Sequence, residues 1–238
     1  MGIDKAMLSK LVENLINILD LYHQKRIKNY FKNKNIDKLI DVGSHKGEYL
    51  KKMRTNNYKK IYAFEPQPEI YKVLKKNISN FKEVELFNIA CDEKNDLREL
   101  YINELSLTSS FLKSNEENLW IKFKKFILGK KSLIKKKIMV KTNKLDYVLI
   151  KKLKKKDQIL LKIDVEGSEL SVLKGATKIL KTMNVKFIQV ENAKNNMYEI
   201  NNNDKVKLFL KNNGYKLEKS FVYPTFSFSD DVYIKSTS

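Results

Sequence analysis

Cysteine is almost missing from this chain: Cys91 stands alone, so no disulfide framework can hold the fold and a hydrophobic core must do so. Only three prolines and seven glycines occur in 238 residues, which makes each place where they cluster informative about a turn. No apolar run approaches membrane-spanning length. The N-terminus carries Asp4 and Glu13 among its apolar residues and lacks a secretory core, and Ala6 stands where a myristoylation signal wants Ser or Thr. The expected location is cytoplasmic. Arginine is scarce beside lysine, which weakens the usual meaning of a formal net charge of +20, because readers of phosphate favour the bidentate guanidinium. The lysines are read first as a solvated surface, and a patch facing a polyanion is the alternative. With 42% hydrophobic residues, the chain has material for one α/β domain and too little for two.

The most informative turn follows residues 38–42, a short apolar run. Gly43 comes at once, Gly47 four residues later, and an amphipathic segment with Tyr49, Leu50 and Met53 begins directly. This is strand, tight turn, helix, with glycines that permit positive φ and let backbone N–H groups approach a ligand. A dinucleotide fold wants G-x-G-x-x-G, whereas here Asp41 leads a D-x-G-x-x-x-G turn. A carboxylate at that mouth disfavours pyrophosphate and suits an ammonium or a sugar hydroxyl, both offered by S-adenosylmethionine. At the end of the next apolar run, residues 61–65, stands Glu65, where folds of this kind hold a ribose diol.

Ahead of this unit, residues 4–32 place Met7, Leu8, Leu11, Val12, Leu15, Ile18, Leu19 and Tyr22 at helical spacing and end in a basic stretch. We expect an N-terminal helical extension, residues 1–36, that caps the sheet of a domain spanning 37–238. Residues 84–90 alternate as a third strand ending near Asn88, Ala90 and Asp92, where Asn88 or Asp92 could meet an adenine amine. From 96 to 144 the βα alternation is interrupted: a strand over 97–102, a loop over 107–111, an aromatic helix over 118–128 with Trp120, Phe123 and Phe126, and a strand over 138–142. An insert there sits over the carboxyl ends of the strands and is expected to select the acceptor.

Residues 158–163 form a near-continuous apolar run, the mark of a central parallel strand buried on both faces. It ends in Asp164, Glu166, Gly167 and Glu169, and three carboxylates at such a mouth are costly unless they bind something or pair with lysines. Glu169 reads as a first-turn helix carboxylate. A further strand over 185–190 ends in Glu191 and Asn192, and strands over 215–219 and 231–234 follow a helix over 206–210.

Taken together, IDVGSHKGEY at residues 40–49, AFEP at 63–66, NIAC at 88–91 and above all LKIDVEGSE at 161–169 resemble the FkbM family of S-adenosylmethionine-dependent methyltransferases. The resemblance runs from about Asp37 to Asn192. It implies a Rossmann-like α/β fold with helices on both faces of a mostly parallel seven-stranded sheet and an antiparallel edge strand, and O-methylation of sugars, glycans or similar small molecules. By position it implies that Asp41, Gly43 and Gly47 line the cofactor, that Glu65 takes the ribose hydroxyls, that Asn88 and Ala90 border the adenine, and that Asp164 faces the methyl group or acceptor. His45, Asp164, Glu166 and Glu191 are the candidates for the base that removes the acceptor proton, and the sequence does not choose among them. Oxygen ligands from Asp164, Glu191 and Asn192 would also suit a divalent cation such as Mg²⁺, although lysines could satisfy the same carboxylates. An RNA-directed methyltransferase using the basic surface is the competing activity. No Asn/Asp-Pro-Pro-Tyr motif or appended RNA-binding module supports it.

Overall fold

Residue-by-residue alternation decides which face each strand buries. The computed structural model of the chain describes residues 5–103, 109–112, 118, 122, 134–193, 202–225 and 228–236. In order these hold α1 (Lys5–Phe31), β1 (Lys38–Val42), α2 (Glu48–Met53), β2 (Lys60–Phe64), α3 (Pro68–Asn77), β3 (Val84–Phe87), β4 (Ala90–Cys91), β5 (Asp96–Asn103) and β6 (Ile134–Asn143). After them come α4 (Leu145–Leu149), β7 (Ile159–Ile163), α5 (Glu169–Gly175), α6 (Thr177–Thr182), β8 (Val185–Ala193), α7 (Asn203–Asn212), β9 (Tyr215–Val222) and β10 (Phe228–Lys235).

Seven strands form one sheet in the order β3-β2-β1-β7-β8-β10-β9. β1 runs parallel to both β2 and β7, and β10 runs against both β8 and β9, so the returning strand is inserted beside the outermost one. Even-numbered residues of β1 and β2 (Ile40, Val42, Tyr62, Phe64) join Leu161, Ile163, Val172, Leu173 and Leu180 in one core layer. Leu39, Ile61 and Ala63 face the other way and pack with Leu50, Met53, Leu74, Leu160 and Phe187. That second layer also takes Ile27 and Phe31 of α1, both almost wholly buried, so the helix is part of the core. Among the described residues no helix is long and apolar enough to cross a membrane.

Register brings the candidate site residues level. Val42 pairs with Phe64 on one side and Ile163 on the other, and Ile163 pairs with Val190. Gly43, Glu65, Asp164 and Glu191 therefore leave four adjacent strands at the same height. The chain order reverses between β1 and β7, the switch point where open α/β sheets bind ligands.

Two expectations change. The strand read over 84–90 is broken: Asn88 Nδ2 donates to the carbonyls of Glu65 (2.8 Å) and Pro66 (3.2 Å), the chain turns, and Ala90–Cys91 joins a different sheet. That second sheet, β4-β6-β5, is built by the insert, whose two strands pair antiparallel and are longer than the periodicity suggested. Of the aromatic helix read over 118–128 only residues 118 and 122 are described, and Trp120, Phe123 and Phe126, with the loop residues Leu107 and Thr108, lie outside the described residues.

Candidate functional site

The loop after β1 is built on left-handed backbone. Gly43 has φ 85°, and a Cβ there would stand 1.8 Å from the carbonyl oxygen of Asp164. Only glycine lets β1's exit pass so close to β7's. The N–H groups of Gly43 and Ser44 both donate to Phe64 O, at 3.1 and 2.9 Å, folding the loop over β2. His45 (φ 46°) and Gly47 (φ 87°) complete the turn, and Gly47 caps α2. Glu65 is held from two sides: His45 N–H donates to Oε2 at 3.1 Å and Gln67 N–H to Oε1 at 2.8 Å. It is 4% exposed, and burial lifts its carboxyl to about 7 despite those two amides. Each oxygen keeps a second acceptor site, so the carboxylate can still receive a pair of ribose hydroxyls.

Beneath the loop lies a residue that sequence reading passed over. Lys162, the polar member of β7's apolar run, is 3% exposed. Its Nζ sits 3.1 Å from Asp41 Oδ1 and 3.2 Å from Asp164 Oδ2, and donates to Gly43 O at 3.0 Å. Burial pulls the ammonium toward neutrality, but the carboxylates of Asp164 and Asp41 outweigh it and hold the charge above the ordinary lysine range. Asp41 is fully buried and turned toward Lys162, at the base of the loop. Through Lys162 it is tied to the backbone of Gly43. The available signal was a lysine inside ILLKI, on the same side of the strand as Leu160.

At the open end of β7 and β8, carboxylate oxygens of Asp164, Glu166 and Glu191 lie within 4.8 Å of one another. Glu166 adopts left-handed backbone (φ 58°), which folds the acidic turn back on itself. Ser110 of the insert donates to Glu166 O at 2.5 Å, tying the insert to the mouth. Burial, then the charges of Asp164, Glu166, Asp230 and Glu169, push Glu191 well above the usual carboxylate range. Glu169 stands in the first turn of α5, accepts from Gly167 N–H at 2.9 Å and is raised to about 7 by burial. Asn192, next to Glu191, donates from Nδ2 to Asp231 Oδ2 at 2.9 Å, which leaves its Oδ1 as the atom a cation would use, while Asp164, Glu166 and Glu191 form the acidic group that the fold assembles. Their hard oxygens could hold a divalent cation.

The remaining candidates are spread along the rim. His45 Nδ1 is 3.5 Å from Glu48 Oε2. Asn88 is exposed, but its amide nitrogen bonds Glu65 O and Pro66 O. Ala90 is buried and pairs with Thr142, and Asp92 is bound by Arg98.

Among solved structures, the magnesium protoporphyrin IX methyltransferase ChlM from Synechocystis PCC 6803, with bound S-adenosylmethionine, is similar at TM-score 0.53 and 8% identity, over 93% of this chain and 82% of that one. A protein of the NADB-Rossmann superfamily from Streptococcus agalactiae is similar at TM-score 0.52 and 11% identity, over 91% and 68%. At such identities these likenesses speak for the fold alone. No curated protein matches the chain. The methyltransferase FkbM domain model matches residues 41–217, which is most of the chain and includes Gly43, Glu65, Asp164 and Glu191. The chain therefore belongs to the FkbM family of S-adenosylmethionine-dependent methyltransferases.

Proposed function

We propose that the chain transfers the methyl group of S-adenosylmethionine to a hydroxyl of a sugar, nucleotide-sugar or glycan. The observation that carries this reading is the triad of Asp164, Glu166 and Glu191 at the strand ends beside the glycine loop. Carboxylate oxygens gathered there favour a cationic sulfonium and a hydroxylated acceptor. They oppose a phosphate placed directly beside the reacting hydroxyl.

The cofactor supplies an electrophilic methyl with a neutral thioether as leaving group. The protein's share is alignment and proton removal. Gly43 and Gly47 open the loop, Glu65 receives the ribose diol, and Lys162 screens Asp41 beneath it. An acceptor oxygen that forms the new C–O bond sheds its proton to a carboxylate of the triad. Glu191, raised by burial and its acidic neighbours, is suited to take it, and Asp164 and Glu166 orient the hydroxyl. The hard oxygens of the triad are also the place where Mg²⁺ would act, by lowering the acceptor's pKa.

The second reading, methylation of RNA, draws on the formal net charge of +20. Isothermal titration with S-adenosylmethionine and S-adenosylhomocysteine, with Glu65→Ala as control, tests the cofactor. Methyl transfer from labelled cofactor to nucleotide sugars, glycans and RNA, with and without Mg²⁺, tests the acceptor. Label entering RNA and no saccharide sinks the proposal.

A further inference from the structure

Helix α1 is fastened to the last two strands by polar contacts at three successive turns. Tyr223 OH donates to Asp20 Oδ1 at 2.5 Å, and Arg26 Nη1 donates to Val222 O at 2.9 Å. Between them His23 Nε2 meets Asp230 Oδ2 at 2.7 Å. His23 is 3% exposed, with the rings of Tyr223 and Phe228 edge-on to it at 5.3 and 5.6 Å. Its Nδ1 has no hydrogen-bond partner, so Nε2 is the nitrogen that carries a hydrogen toward the carboxylate.

From Asp230 the contacts continue inward. Gln189 Nε2 donates to Asp230 Oδ1 at 2.7 Å, and Gln189 Oε1 accepts from Tyr49 OH at 2.7 Å. The Tyr49 ring faces the Lys162 ammonium, 5.2 Å from its centroid, and Lys162 donates to Gly43 O. Five elements, α1, β10, β8, α2 and β7, thus give one side chain each to a single buried line that ends at the loop. Every member is at most 9% exposed.

Apolar residues would fill this layer, which elsewhere holds Ile27, Phe31, Leu39 and Phe187, without the desolvation that five polar groups incur. A buried line of polar contacts, each member in contact with the next, favours one arrangement of its members over others. We infer that His23 is a positioning residue of the cofactor site: through Asp230, Gln189 and Tyr49 it sets where Lys162 holds the Gly43 loop, so that α1 completes the site as well as covering the sheet. This rests on the assignment of that loop as the seat of S-adenosylmethionine.

The test is isothermal titration of the full chain with S-adenosylmethionine. His23→Ala weakens binding about tenfold, and His23→Gln, whose amide N–H reaches Asp230 from the same place, restores it to within about twofold. Ile27→Val, one turn further on α1, lowers the melting temperature and leaves affinity unchanged. Tyr49→Phe, which keeps the ring against Lys162, weakens binding on its own, and adding His23→Ala weakens it little further, because both cut the same line. Should His23→Ala not fold, the glutamine and phenylalanine variants decide. Binding by His23→Ala equal to that of Ile27→Val, failure of glutamine to rescue, or additive losses would overturn the inference alone. Wild-type protein that binds no S-adenosylmethionine would refute the cofactor assignment and this role with it.

Discussion

Replacing Lys162 by methionine keeps most of the side chain's length and removes its charge. Asp41 is fully buried and Lys162 is its ion-pair partner at 3.1 Å, so the substitution leaves a carboxylate in the core without a counter-charge. Removing one partner of a buried pair costs about 3–5 kcal/mol. Asp164, with its side chain 37% exposed, is hydrated when Lys162 goes and adds little. For a chain of this size each kcal/mol moves the melting temperature by about 2–4 °C, so Lys162→Met should melt about 6–20 °C below the parent. The double variant Asp41→Asn/Lys162→Met has no orphaned charge and should recover at least about 2 kcal/mol of that loss as coupling in the cycle. Thermal unfolding followed by circular dichroism reads all four proteins. A Lys162→Met melt within about 2 °C of the parent, or a double variant as unstable as the sum of the singles, would refute the buried-pair argument.

Gly43→Ala forces a Cβ to 1.8 Å from Asp164 O and should abolish cofactor binding in titration, whereas Gly214→Ala, also at positive φ but with nothing within 4 Å, should cost about 1–2 kcal/mol in urea unfolding. Because burial raises Glu65 from 4.5 to about 7, the folded protein keeps a proton that the unfolded chain has released across that window. Its contribution to stability is therefore present below pH 4.5 and lost as pH rises to about 7, by about 3 kcal/mol, and Glu65→Gln should flatten the urea-derived profile there. Affinity for S-adenosylmethionine should rise as Glu65 ionises near pH 7 and lose that dependence in the same variant. Glu191→Gln should lower kcat about 10²–10⁴-fold on the accepted hydroxyl with cofactor affinity unchanged; an unchanged kcat would remove Glu191 as the base.

Local rules were enough to read much of this protein from its residues. Apolar runs broken by glycine and acidic residues located β1, β2, β7 and β8 and the residues that leave them, because in a parallel sheet the strand end and the ligand site are the same place along the chain. The left-handed turn at Gly43 and Gly47 and the first-turn position of Glu169 are likewise properties of a few consecutive residues. Pairing between distant segments was beyond that reach. Asn88 breaks its strand because of carbonyls on the loop after β2, and Asn192 gains its partner Asp231 only because that residue arrives on an antiparallel strand. The meaning of a polar residue inside an apolar run depends on what stands across the layer. Lys162 and Gln189 look like interruptions in sequence, and become the centre of a charge trio and a hydrogen-bonded line only when β1, α2 and β10 are packed around them. His23 lies among the apolar positions of a helix that reads as a cap, and a contact to a residue 207 positions away decides its role. Burial makes these interactions strong by excluding water, and burial is a property of the assembled fold.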